Sequence, residues 1–124
     1  MKIAAIIVRI LMGLIFAFAS ITVLFHLMKE PELTGNVKIF MEGMKATGYM
    51  MTVVKIVELV CAISFLSGKF VPLATVVIFP IVLNILLYHS FLDPSGLPVA
   101  VALMAGNLFL AWYHREKYSL ILKP

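Results

Sequence analysis

Lys55 and Glu58 stand three residues apart in the run MMTVVKIVELVCAISFLSG, which is otherwise almost wholly apolar. Residues at i and i+3 project from neighbouring positions of one helix face, so an ammonium and a carboxylate can meet there. Such a pair can exchange a proton or offer hydrogen bonds to a ligand; equally, it can neutralise itself and pin helix packing, or Lys55 can reach outward and leave Glu58 buried alone. Asn84, in VPLATVVIFPIVLNILLYH, and Asn107, in LPVAVALMAGNLFLAWY, add amides that both donate and accept. Tyr88 follows Asn84 by one helical turn and brings a phenol. Arg9 interrupts the first apolar run. His26 and His89, each near the end of an apolar run, invite a bis-imidazole haem reading, against which stands an ordinary place for histidine at a membrane boundary and no second feature of a porphyrin slot. The single cysteine, Cys61, excludes an intramolecular disulfide or dithiol chemistry by this chain alone.

The elements that must position these groups are set by composition. Of 124 residues 63% are hydrophobic and 13% charged, and the mean hydropathy is +1.10. Those values lie far from an ordinary soluble domain, and the charges cluster in short segments between apolar runs. A hydrocarbon layer about 30 Å thick needs roughly 20 apolar residues in helix. Four segments approach that length: 3–28, 50–67, 71–91 and 97–113. The expectation is an all-α membrane protein, residues 1–124 forming one four-span transmembrane helix bundle. Gly68-Lys69 and Asp93-Pro94-Ser95-Gly96 read as tight turns, so the last three spans are consecutive antiparallel neighbours. Between the first two spans, Val37, Phe40, Met41 and Met44 fall at i, i+3, i+4 and i+7, which predicts a short amphipathic helix over the bundle or in the interface.

With alternating spans, Lys2, Arg9, Lys69, Arg115, Lys117 and Lys123 fall on one side. The other receives Lys29, Lys38 and Lys45, diluted by Glu30, Glu32, Glu42 and Asp93. The positive-inside rule then puts both termini in the cytoplasm. The net charge of +4 is read as topology, and no basic patch interleaved with aromatics argues for nucleic acid. Ala17-Phe18-Ala19 resembles a signal-peptidase site, but Arg9 breaks the would-be apolar core and the hydrophobic run continues beyond Ser20, so the segment reads as a span.

Counting along the helices places Glu58 near the midplane, Lys55 and Asn84 roughly 5 Å outward, and Asn107 within about 3 Å of the middle. Heights alone therefore predict one polar layer drawn from three spans. Arg9, roughly 10 Å toward the terminal side of its span's middle, either snorkels to phosphates or reaches toward that layer. His114, Trp112 and Tyr113 read as interfacial anchors. Pro80 is placed to kink the third span, and Gly13, Gly106 and Cys61-Ala62 to let helices approach closely.

Arg9 and Gly13, the string KATGYMMTVVKIVELV, then SGKFVPLATVVIFPIVLNILLYH, FLDPSGLP and NLFLAWYHREKY resemble the DoxX family of small four-helix membrane proteins. The most specific parts are Glu58 followed by Gly68, and Pro80 followed by Asn84. Departures are Ser20-Ile21-Thr22 and Cys61-Ala62, where typical members carry glycines. The resemblance implies a protein of the bacterial cytoplasmic (inner) membrane, associated with oxidoreductases; the name-giving relatives resemble a subunit of a thiosulfate:quinone oxidoreductase, and distant ones look like assembly chaperones. Two function classes follow. In the first, a membrane subunit binds a quinone between its helices, with Lys55, Glu58, Asn84, Tyr88, Asn107 and Arg9 as candidate ligand-binding or proton-exchanging residues, and a partner protein supplies electrons, because the chain shows no flavin, iron–sulfur or other metal motif. In the second, the chain is a non-enzymatic scaffold or assembly factor. Besides the lipid bilayer, a protein partner or a second copy is the expected company.

Overall fold

The computed structural model describes residues 2–27 and 32–122. Met28, Lys29, Glu30 and Lys123, which entered the reading of span limits and charge, lie outside the described residues. Four long helices, α1 (Lys2–Leu24), α3 (Met50–Ser67), α4 (Val71–Phe91) and α5 (Leu97–Tyr113), are each apolar and long enough to cross a bilayer, the last counted together with the 3₁₀ turn Pro94–Gly96 that leads into it. The short α2 (Gly35–Ala46) lies between the first two, and a 3₁₀ turn, Arg115–Tyr118, leads into the brief α6 (Ser119–Leu122). In the bundle α1 packs on α3, α3 on α4, α4 on α5, and α5 closes back on α1. Chain order is thus preserved around the ring, as short turns require.

What is buried shows the solvent for which the bundle is built. Phe16, Phe65, Ile78, Val82 and Leu110 fill the axis, yet Ser20, Glu58, Thr75 and Asn107 are buried with them. Large apolar side chains point outward, among them Ile3 at 74%, Phe18 at 64% and Val60 at 61% exposure. A soluble protein does not present apolar surface on every side. The chain is a multi-pass integral membrane protein whose outer surface meets lipid.

Helix α1 ends at Leu24, short of the expected 28. The amide of Leu27 bonds the Thr22 carbonyl at 3.0 Å, that of His26 bonds the Val23 carbonyl at 3.4 Å, and His26 takes a left-handed φ of 54°. These are the crossed bonds of a Schellman cap. An apolar run records solubility in lipid, not helix continuity, so it overran the cap. The cap helix α2 follows its pattern: Val37, Phe40, Met41 and Met44 are half-buried, while Lys38 and Glu42 face outward.

Small residues set the closest approaches. A Cβ on Gly13 would lie 2.8 Å from Leu66 Cγ, and one on Gly106 3.1 Å from Met12 Sδ. Gly13 therefore seats α1 on α3, and Gly106 seats α5 on α1, by van der Waals contact that lipid cannot match. At the end that carries both termini, Arg9 Nη1 donates to the Phe65 carbonyl at 2.8 Å, near the C-terminus of α3. A guanidinium there meets both an unpaired carbonyl and the negative end of the helix dipole. Gly68 ends α3 with φ 78°, and a Cβ on it would lie 2.6 Å from Arg9 Nη1. Gly68→Ala is expected to cost about 1 kcal/mol for the left-handed backbone alone. Arg9→Met should cost about 1.5–3 kcal/mol through the lost charged hydrogen bond. In a double-mutant cycle read by thermal unfolding in micelles the two losses should be clearly less than additive, because one guanidinium takes part in both.

Candidate functional site

Glu58 belongs to the buried stripe of α3 that also holds Cys61, Ala62 and Phe65. One turn nearer the cap end, Lys55 Nζ donates to Glu58 Oε2 at 3.1 Å, with side-chain exposures of 17% for Lys55 and 3% for Glu58. The carboxylate is thus held inside the bundle while the ammonium sits at its flank. The helical spacing alone makes this contact possible; burial of the stripe makes it the one available partner in a medium without water.

A second polar contact lies near that level. Asn107 is 1% exposed, and its Nδ2 donates to the Thr75 carbonyl at 3.3 Å, joining α5 to α4. Its Oδ1 is buried and accepts no hydrogen bond. The Thr75 hydroxyl donates back to the Val71 carbonyl at 2.8 Å, and Cys61 Sγ lies 3.9 Å from the Ala74 carbonyl. Taking Cys61 opposite Ala74 and Asn107 opposite Thr75, Glu58 stands only about 3 Å farther toward the cap end than Asn107. The axis at this depth therefore carries an ion pair, an amide and an unsatisfied acceptor.

Asn84 is not part of that group. It is exposed, and it makes no hydrogen bond with any described residue. The buried stripe of α4 runs through Val71, Ala74, Thr75, Ile78 and Val82. Asn84 lies six residues beyond Ile78 and two beyond Val82, so a rotation of 100° per residue carries its side chain to the outward face. With Asn107 opposite Thr75, Asn84 also lies nine residues, about 14 Å, farther toward the cap end, so rotation and the stagger of the spans both forbid the meeting that heights counted from each span's own middle suggest. Tyr88 also turns from the axis: its ring packs against Phe40 of α2, centroids 5.2 Å apart, and so helps seat the cap helix.

The two histidines have local employment. His89 Nδ1 lies 3.0 Å from the Asp93 carbonyl, and its ring fills the space beside Gly96. His26 is the exposed left-handed residue of the α1 cap. Among the described residues no group of three His, Cys, Asp or Glu is arranged to hold a metal ion. Arg9 serves the C-terminus of α3, at the terminal end, and makes no contact with the Lys55–Glu58 pair. Thr75, and Ser20 with its bond to the Phe16 carbonyl at 2.6 Å, are buried polar residues that depth reasoning passed over. Their signal was present: hydroxyls well inside apolar spans.

The terminal end holds a cavity of about 240 Å³ lined by Lys2, Arg9, Gly68, Pro72, His114 and Lys117 among others. Tyr118 closes beside it, its hydroxyl donating to the Pro72 carbonyl at 2.8 Å. Burial, and then the charge of Lys117, hold His114 below the usual histidine range. The folded state thus resists protonation there more than the unfolded chain does. Stability is then undiminished above the ordinary histidine pKa and falls as pH drops through it toward the depressed value. A His114→Asn variant should flatten this part of the stability–pH curve, measured by unfolding in micelles.

Removing one member of the buried pair should be worse than removing both. Lys55→Met strands the Glu58 carboxylate and is expected to cost about 3 kcal/mol, whereas Lys55→Met with Glu58→Leu should recover most of that loss. Thermal unfolding of the two variants in the same detergent checks the order. No family model matches this chain, and neither the curated proteins nor the solved structures contain a match to it.

Proposed function

We propose that the chain is a subunit or partner of a membrane redox system that binds a quinone-like hydrophobic molecule beside Lys55 and Glu58. The observation behind this reading is the ion pair itself: a carboxylate 2% exposed in the middle of a four-helix bundle, with its ammonium partner at the flank. Ionisable groups at such depth are costly and are usually retained for function. A quinone head needs an apolar slot, a donor for its carbonyl oxygens and a route for protons on reduction. Lys55 supplies the donor and Glu58 the proton acceptor, and Asn107 Oδ1 is an unused acceptor for a quinol hydroxyl. The electrons come from a partner protein. The resemblance to the DoxX family, through Glu58 and Gly68 and through Pro80 and Asn84, agrees with this and with placement in a bacterial cytoplasmic membrane, both termini inside.

A second reading rests on the same contact. Because Lys55 and Glu58 satisfy each other at 3.1 Å, the pair also suits a non-enzymatic scaffold whose charges serve only to hold helix packing. The two readings separate in a binding experiment with short-chain ubiquinone and menaquinone analogues on the purified protein in lipid nanodiscs. Under the redox reading, Glu58→Gln and the double change Lys55→Met with Glu58→Leu each weaken binding at least about tenfold, a loss of about 1.4 kcal/mol, while cooperative unfolding persists. Unchanged binding in these variants, or none by the native chain, leaves the scaffold.

A further inference from the structure

The outward face of α4 carries a pattern that a monomer does not use. Leu73, Val77, Pro80, Asn84, Leu87 and Phe91 are all exposed, and they follow one another at alternating steps of four and three residues. That is the spacing of a heptad seam, with Leu73, Pro80 and Leu87 at one core position and Val77, Asn84 and Phe91 at the other. Asn84 falls at its middle layer, roughly 5 Å from the centre of its span. The exposed faces of the other three spans present no amide among the described residues. An amide turned toward hydrocarbon with no partner is unfavourable by the full loss of its hydrogen bonds. Pro80, one turn earlier, has no N–H for the Val76 carbonyl, so that carbonyl lacks its usual intrahelical donor beside the same stripe.

We infer that this stripe is the contact between two copies of the chain, with Asn84 of each copy paired to Asn84 of the other. The occupant follows from the chemistry and from topology. Copies inserted in the same sense are related by a two-fold axis along the membrane normal, so their α4 helices run parallel and every residue meets its own counterpart at the same height. At Asn84 this sets amide against amide. An amide is its own complement, each Nδ2 donating to the opposite Oδ1, whereas a charged side chain would meet its like. The flanking layers are apolar and equally self-matching. A heptad spacing gives the left-handed crossing of about 20° common between membrane helices, and a lone Asn in such a seam fixes register. The contact is independent of ligand binding at Lys55 and Glu58, which lie on α3.

The test measures self-association of the full chain in phosphatidylcholine–phosphatidylglycerol vesicles by Förster transfer between labelled copies, diluted with increasing lipid. The native chain should dimerise; Asn84→Leu should weaken association by roughly three- to thirtyfold, and Asn84→Gln, which keeps the amide, should weaken it less. Because Asn84 is exposed and makes no hydrogen bond with any described residue, Asn84→Leu should leave the unfolding temperature of dilute monomer in micelles unchanged. Disulfide trapping adds an independent readout in a Cys61→Ala background: Leu87→Cys should cross-link, and Val60→Cys, on the outward face of α3, should not. A monomeric native chain at all dilutions, association indifferent to Asn84→Leu, or trapping through Val60→Cys instead of Leu87→Cys would each overturn the inference.

Discussion

Hydrocarbon offers no hydrogen bonds, and that constraint governs how polar groups are placed in the four spans. Buried hydroxyls turn back on their own helices, as Ser20 does to Phe16 and Thr75 to Val71. Amide and guanidinium groups have longer reach and fasten elements together, Arg9 of α1 to the end of α3 and Asn107 of α5 to α4, while Lys55 and Glu58 satisfy each other across one turn of α3. Two amide positions escape the rule. Asn107 Oδ1 is unsatisfied inside the bundle, and the Asn84 side chain, outside it, makes no hydrogen bond with any described residue. They are the natural places to look for a bound molecule and a bound neighbour, respectively.

The same constraint governs how the helices approach. With lipid as apolar as the core, burial of Leu or Ile against another helix gains little over burial against acyl chains, and close packing has to supply the difference. Gly13 and Gly106 bring α1 within contact of Leu66 and bring α5 onto Met12. The two ends of the bundle are then finished differently. At the terminal end, Arg9, Gly68 and Tyr118 fold turn, guanidinium and phenol over the helix ends; at the other, α2 lies down through Phe40 on Tyr88. The Lys55–Glu58 pair sits between these closures, its ammonium at the flank.

Much of this was legible in the chain. The spacing of Val37, Phe40, Met41 and Met44 announced the cap helix, and each of these residues is half-buried as that spacing requires. The three-residue step from Lys55 to Glu58 announced the ion pair. Gly13 and Gly106 mark sites of close approach in the sequence, and both are such sites in the bundle. The end of the first span was not legible, because the run through Phe25 and Leu27 stays apolar beyond the helix and only His26, unusual in a left-handed turn, marks the cap. The role of Arg9 was not legible either: its partner is a main-chain carbonyl 56 residues away, which no pattern of side chains records.

Sequence by itself determined the number of spans and the position of each polar residue along its own helix, because a helix rises by a constant step and a bilayer has a constant thickness; how the spans are staggered against one another came from packing. Nor could sequence determine rotation. In a soluble helix the polar face reveals which side is out, but α4 is apolar on all sides, so nothing in the pattern distinguished the face of Ile78 and Val82 from that of Pro80 and Asn84. Only packing, of α4 against α3 and α5 and of α5 against α4 and α1, turned Asn84 outward and Asn107 inward, and set Asn84 about 14 Å farther toward the cap end than Asn107, which lies opposite Thr75.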